Sequence, residues 1–189
     1  MKPFARLVTV QFELAIRIYV FLMISLYGLG KIAGGQFHRR GHLTETLAQT
    51  PLSEVGSFDL AWTFFGYSNA YILFIGLSQL IGGFMLLFER TKLIGVAALI
   101  PILLNIIVVD VCYAISPGAL LSATTYLLLT LFIVWFNREK VIAALQALAR
   151  SPDQSAAPSR PSLAAFAIVG LIIASVFLIE TSLVKLAGY

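Results

Sequence analysis

Glu13 and Arg17 stand one helical turn apart inside a long apolar run, LVTVQFELAIRIYVFLMISLYGLGKIAGG. A charge at membrane depth costs roughly 3 kcal/mol or more, so such residues face a protein interior or a cavity and have partners there. The i,i+4 spacing, acid before base, lets each partly neutralise the other. At 100° per residue, Glu13, Arg17, Tyr27 and Lys31 fall within about 40° of one line, an inward polar stripe interrupted by Val20 and Ile24.

A second apolar run carries Gly76, Gln79 and Gly83 on one face, with Gly82 beside them. Small residues allow close helix approach, and an amide then hydrogen-bonds across the interface. Arg17 lies about 12 Å from the inner end of its run and Gln79 about 14 Å from the inner end of its own, at 1.5 Å per residue. The two are expected to meet. Asn105, in the third run, is expected to add an interhelical hydrogen bond. Two readings of Glu13, Arg17, Gln79 and Asn105 stand together. One is a polar pocket in which the guanidinium binds a small head group, a quinone carbonyl or an oxyanion. The other is a self-satisfied structural cluster that fixes helix order, since buried polar groups must be paired whatever the function.

Nearer the outer surface, Lys31, Asp110, Tyr113, Glu180 and Lys185 share a similar depth. They read either as an entrance for protons or ligands or as snorkelling ion pairs. Glu180 needs a partner, and Lys31 is the expected one. The run HRRGH at 38–42 is the most polar outer patch, in which Arg39 and Arg40 suit an anion or a lipid phosphate. His38 and His42 have no third ligand nearby, so no metal site is expected. Cys112 is the sole cysteine and reads as a small buried hydrophobe; no internal disulfide or CxxC pair can form. No nucleophile triad, phosphate-binding glycine loop or zinc motif is present.

These groups need a membrane to hold them. The chain is 59% hydrophobic and 12% charged with mean hydropathy +0.93, more apolar surface than a soluble domain of 189 residues can hide. Five segments approach the length that spans hydrocarbon: about Thr9–Lys31, Tyr67–Phe88, Leu93–Ile115, Leu120–Phe136 and Leu163–Leu186. The expected fold is an all-α membrane protein in one domain, residues 1–189. A four-helix core covers about 9–149, a Pro/Ser linker 150–162, and a fifth helix about 163–187. The first run is too long and too charged for a cleaved signal peptide. Between the first two spans, Thr44–Glu54 and Phe58–Phe65 read as surface helices, with Trp62, Phe64, Phe65 and Tyr67 as an interfacial anchor.

Loop Lys and Arg residues fall eight on one side (Lys2, Arg6, Arg90, Lys92, Arg138, Lys140, Arg150, Arg160) and three on the other (Lys31, Arg39, Arg40). The expected topology is N-terminus cytoplasmic, C-terminus outside, in a bacterial inner membrane. The net charge of +4 is ordinary for a membrane protein and does not point to nucleic acid.

Arg17 followed by YGLGKIAGGQF, then WTFFGYSNAYILF, GLSQLIGGFMLLFERT and PILLNIIVVDVCYAI, resembles the DoxX family of small membrane proteins over about Leu14–Phe136. The resemblance implies a four-helix bundle of DoxX type in the plasma membrane, here with a fifth helix added. Some relatives are linked to sulfur or thiol redox chemistry, one as a subunit of a thiosulfate:quinone oxidoreductase and one in a complex with soluble partners. An acidic residue commonly precedes the Gly-Gly of helix two in that family; here it is Gln79. The expectation is a membrane subunit of a redox or respiratory process that binds a quinone-like lipophile or a sulfur oxyanion near Arg17. It would work with other membrane subunits or a soluble redox partner and carry no covalently bound cofactor. The competing expectation is a non-catalytic accessory subunit of a larger membrane complex.

Overall fold

The computed structural model describes residues 3–149 and 163–186, so the expected linker 150–162 lies outside the described residues. It is helical throughout, with α1 Pro3–Ala33, α2 Glu45–Gln49, α3 Ser57–Gly66, α4 Asn69–Met85, α5 Lys92–Cys112, α6 Pro117–Phe136, α7 Arg138–Ala149 and α8 Leu163–Leu186. Among the described residues four helices are long and apolar enough to cross a bilayer: α1 from Thr9, α5, α6, and α8 over Phe166–Leu183. The helices α3 and α4 meet at a bend of 93° and add a crossing if taken as one span. The chain is therefore built as a multi-pass membrane protein. It divides into two compact units, Met1–Leu145 and Gln146–Tyr189, of which the second holds α8.

In the first unit, α1 packs on α4 and α6, and α5 packs on the same two helices, closing a four-helix ring. Its core contains Val20, Ile24, Leu86, Leu99, Leu103 and Ile133, all essentially inaccessible. Glycines set the tightest crossings. A Cβ on Gly95 would lie 2.7 Å from the Gly82 carbonyl oxygen, and one on Gly28 would lie 3.0 Å from the Gly76 carbonyl oxygen. The first contact draws α5 onto α4 and the second draws α1 onto α4, so the glycines of the second run serve two interfaces rather than one.

A second, smaller core of Phe37, Ala61, Trp62 and Ile72 closes the end where α1 finishes and α4 begins. Trp62 is buried there, 5.5 Å from the Phe37 ring and 4.9 Å from the Phe58 ring, and is no interfacial anchor. Phe64 and Tyr67 are the most exposed aromatics of this stretch. The predicted helix 44–54 shortens to α2, five residues, because Pro51 holds Thr50 in extended backbone. The segment following α1 is strapped onto α3: the His38 amide donates to the Trp62 carbonyl at 3.2 Å and the Arg40 amide to Gly66 at 3.4 Å. Cys112 is exposed, not buried: it ends α5 two residues past Asp110, the last buried position of that helix.

Candidate functional site

Between α3, α4 and α5 lies a cavity of about 640 Å³. Its walls are mostly apolar: Phe37, Trp62 and Phe65 at the outer end, Phe74, Ile75 and Ile81 from α4, Pro101, Ile102 and Ile106 from α5. Phe74, Ile81, Pro101 and Asn105 are exposed, so the mouth opens sideways between α4 and α5, on the faces the apolar sequence turns to hydrocarbon. At its inner wall sit Lys31, Gln36, Gln79 and Asp110. The same four line a second, small cavity of about 40 Å³ on the side of Tyr27 and Tyr126, so they form the partition between the two.

The partition is unusually polar for its burial. Lys31 is 6%, Asp110 5% and Gln79 1% exposed. Among the described residues Lys31 and Asp110 form no direct ion pair. Among the described residues no group pairs with either amide atom of Gln79 or with Asp110 Oδ2. The Lys31 ammonium lies 5.8 Å from the centre of the Tyr27 ring. Leaving such groups unpaired in a dry interior is expensive, which marks this wall as a place where a ligand's polar end can be held.

Arg17 and Glu13 belong elsewhere, which corrects the expected pocket. The Arg17 Nε donates to the Leu86 carbonyl at 2.6 Å and its Nη1 to Glu89. Glu13 Oε1 accepts from Lys92 Nζ at 2.7 Å and from Asn137 Nδ2 at 2.9 Å. Lys92 also pairs with Glu89 Oε2 at 2.9 Å. Two acids and two bases thus neutralise one another and join α1, the α4–α5 turn, α5 and the end of α6. The reason is axial position. Leu86 offers a carbonyl left over at the end of α4, and Glu89 and Lys92 bound the turn beyond it. Gln79 lies seven residues, about 10 Å, further out along α4, beyond the reach of Arg17. Arg17 is satisfied by protein and lines neither cavity. Asn137, Glu89 and Lys92 were not anticipated. The only signal for them is that Glu13 and Arg17 each need a counter-charge, and FERTK places one acid and two bases at a helix junction.

Hydrogen bonding from Lys92, aided by Arg17, holds the Glu89 carboxyl below its usual value of 4.5. A depressed folded-state pKa adds stability that is present above the unfolded value and is lost as pH falls through the folded one. Melting of the detergent-solubilised protein should therefore drop below about pH 4.5, whereas Glu89→Gln should melt lower near neutrality and lose less on acidification. The effect is modest, because the Glu89 side chain is 67% exposed.

The remaining candidates separate. Among the described residues Asn105 makes no interhelical bond, and it sits at the mouth of the larger cavity. Tyr113 caps α5 and is partly exposed; its carbonyl accepts from Ser57 Oγ at 2.8 Å. Arg39 turns inward, its Nη2 donating to the Ile32 carbonyl at 2.5 Å, so it caps α1 instead of forming an anion patch. Arg40 is exposed and stacks on the Tyr67 ring at 5.0 Å. His38 Nε2 meets Asp59 Oδ1 at 2.9 Å. Glu180 lies on α8 in the second unit. Among the described residues no cluster of His, Cys, Asp and Glu could hold a metal ion.

No protein-family model matches the chain, and no solved structure matches it. It is 32% identical over 124 residues to the uncharacterized protein YwoB of Bacillus subtilis (strain 168), an overlap of 66% of this chain and 75% of that protein. By that identity and that coverage, the chain belongs to the YwoB family.

Proposed function

We propose that this protein is a DoxX-like inner-membrane subunit of a redox or respiratory process that holds a quinone-like lipophile in the cavity between α3, α4 and α5. The observation that carries this is the combination of a mostly apolar chamber of about 640 Å³, a lateral mouth between α4 and α5, and an inner wall of buried polar groups at Lys31, Gln79 and Asp110. A molecule dissolved in the bilayer enters sideways without crossing water, and its ring and tail bury against Phe74, Ile75, Ile102 and Ile106. Gln79 Nε2 and the Lys31 ammonium can donate to its carbonyl oxygens. Lys31 is offset by Asp110, so the wall suits a neutral head group better than a sulfur oxyanion.

In this reading the chain crosses the membrane five times with its N-terminus cytoplasmic. Lys92 and Lys31 are buried and leave the count of loop charges, but the remaining seven against two keep the same sign. The ionic cluster around Arg17 then lies at the cytoplasmic end and the cavity in the outer half.

The test is binding of a short-tailed quinone to the purified protein in lipid nanodiscs. Wild type should bind; Gln79→Leu should bind about tenfold more weakly with unchanged melting, the cost of one buried hydrogen bond to an otherwise unpaired group. Equal affinity of the two proteins would remove the cavity from the reading. A second reading, an accessory subunit of a larger complex, rests on α8, which is apolar around its whole circumference yet carries Glu180. A carboxylate there calls for a partner from a neighbouring subunit. Native co-migration with haem- or flavin-bearing subunits, without lipophile binding, would favour it.

A further inference from the structure

The partition between the two cavities does not offer donors alone. Gln79 Oε1 is an acceptor, and an ionised Asp110 can only accept. The same wall carries the donors Lys31 and Gln79 Nε2. Gln79 and Asp110 are both more than nine-tenths buried, and three of their polar atoms have no partner among the described residues. A head group that only accepts satisfies the donors and leaves both acceptors bare. A hydroxyl does both at once: it donates to a carboxylate or amide oxygen and accepts from an ammonium or amide N–H.

We infer that the cavity selects lipophiles whose head group carries a free hydroxyl over otherwise matched molecules that carry only carbonyl or ether oxygens. The inference rests on the proposed lipophile site and adds to it the hydrogen-bonding class of the ligand. For a quinone-type molecule it means that the reduced, dihydroxy form is held more tightly than the oxidised form. The sense follows from acceptor satisfaction. The dihydroxy form pairs Asp110 Oδ2 or Gln79 Oε1 and still accepts from Lys31. The oxidised form enters the same apolar chamber, keeps the Lys31 and Gln79 Nε2 contacts, and strands the carboxylate. Asp110 is a binding and selectivity residue in this account, and no bond is made or broken at it.

Three probes of one skeleton and one tail separate the possibilities: a decyl-substituted hydroquinone kept anaerobic, the matching quinone, and the hydroquinone dimethyl ether. Their affinities for the full chain in lipid nanodiscs are compared by equilibrium binding. The expected result is that the hydroquinone binds about tenfold or more tightly than both comparators. In Asp110→Asn the new amide can donate as well as accept, so the preference should fall toward unity while the quinone keeps or gains affinity. Equal binding of hydroquinone and quinone, or a preference for the quinone or the ether, would overturn the inference and leave the lipophile site standing. If none of the three binds the wild-type protein, the site itself fails and the inference with it. The wild-type comparison decides the matter even if Asp110→Asn does not fold.

Discussion

Replacing Lys92 by Met should unfold the end of the bundle that holds the ionic cluster. Lys92 is 3% exposed and serves two carboxylates at once, Glu13 at 2.7 Å and Glu89 at 2.9 Å. Glu89 can turn to water, being 67% exposed, but Glu13 is 13% exposed and among the described residues keeps only Asn137. A buried charge stripped of its counter-ion costs about 3–5 kcal/mol, far more than the intact pair contributes over an apolar replacement. Glu13→Gln in the Lys92→Met background should restore most of the loss, because the amide needs no counter-charge and still accepts from Asn137. Melting temperatures of the four proteins of this double-mutant cycle measure the effect. Strictly additive losses would mean that Glu13 reaches water and the cluster is not closed.

Gly66→Ala should have the second large effect, at the opposite end. A Cβ at Gly66 would sit 2.0 Å from the His38 carbonyl oxygen and 2.5 Å from the carbonyl carbon. Both are backbone atoms, so no flexible side chain can yield. The strap following α1 must lift, breaking the His38–Trp62 and Arg40–Gly66 backbone hydrogen bonds. Phe37, which ends the cavity against Trp62, moves with it. Overpacking of this kind costs about 1–3 kcal/mol. Limited proteolysis between residues 34 and 66 should accelerate, and lipophile affinity should fall while the four-helix ring stays folded. Unchanged proteolysis would show that the strap has an alternative seat.

The long spans were legible because hydrocarbon imposes a length and forbids charge. The four main apolar runs of the first unit became α1, α4, α5 and α6 with shifts of a few residues at their ends. Position along the helix axis was not legible. Hydropathy starts the first apolar run at Thr9, but α1 starts at Pro3, and the level of Arg17 is fixed by Leu86 and Glu89 rather than by hydropathy. An i,i+4 acid–base pair looks self-sufficient in one dimension; in three, each member finds a better partner across the ring. Gln79, Asn105, Lys31 and Asp110 were each visible as costly polar residues in apolar runs. That they share one cavity depends on the right-angle bend between α3 and α4, which brings Trp62 and Phe65 over its outer end. Nothing in hydropathy distinguishes such a bend from a surface helix.

The proposed lipophile lies between α4 and α5 with its head at Lys31, Gln79 and Asp110. Photo-crosslinking reads this most directly. A short-tailed quinone with a diazirine on the ring, irradiated with the full chain in nanodiscs and mapped by peptide mass spectrometry, should label peptides covering Phe74–Ile81 and Pro101–Asp110. Unmodified quinone should compete the labelling away, and Gln79→Leu should reduce it about tenfold. Competed labelling confined to the peptides around Glu13, Arg17 and Asn137, or none that is competed, would contradict the account.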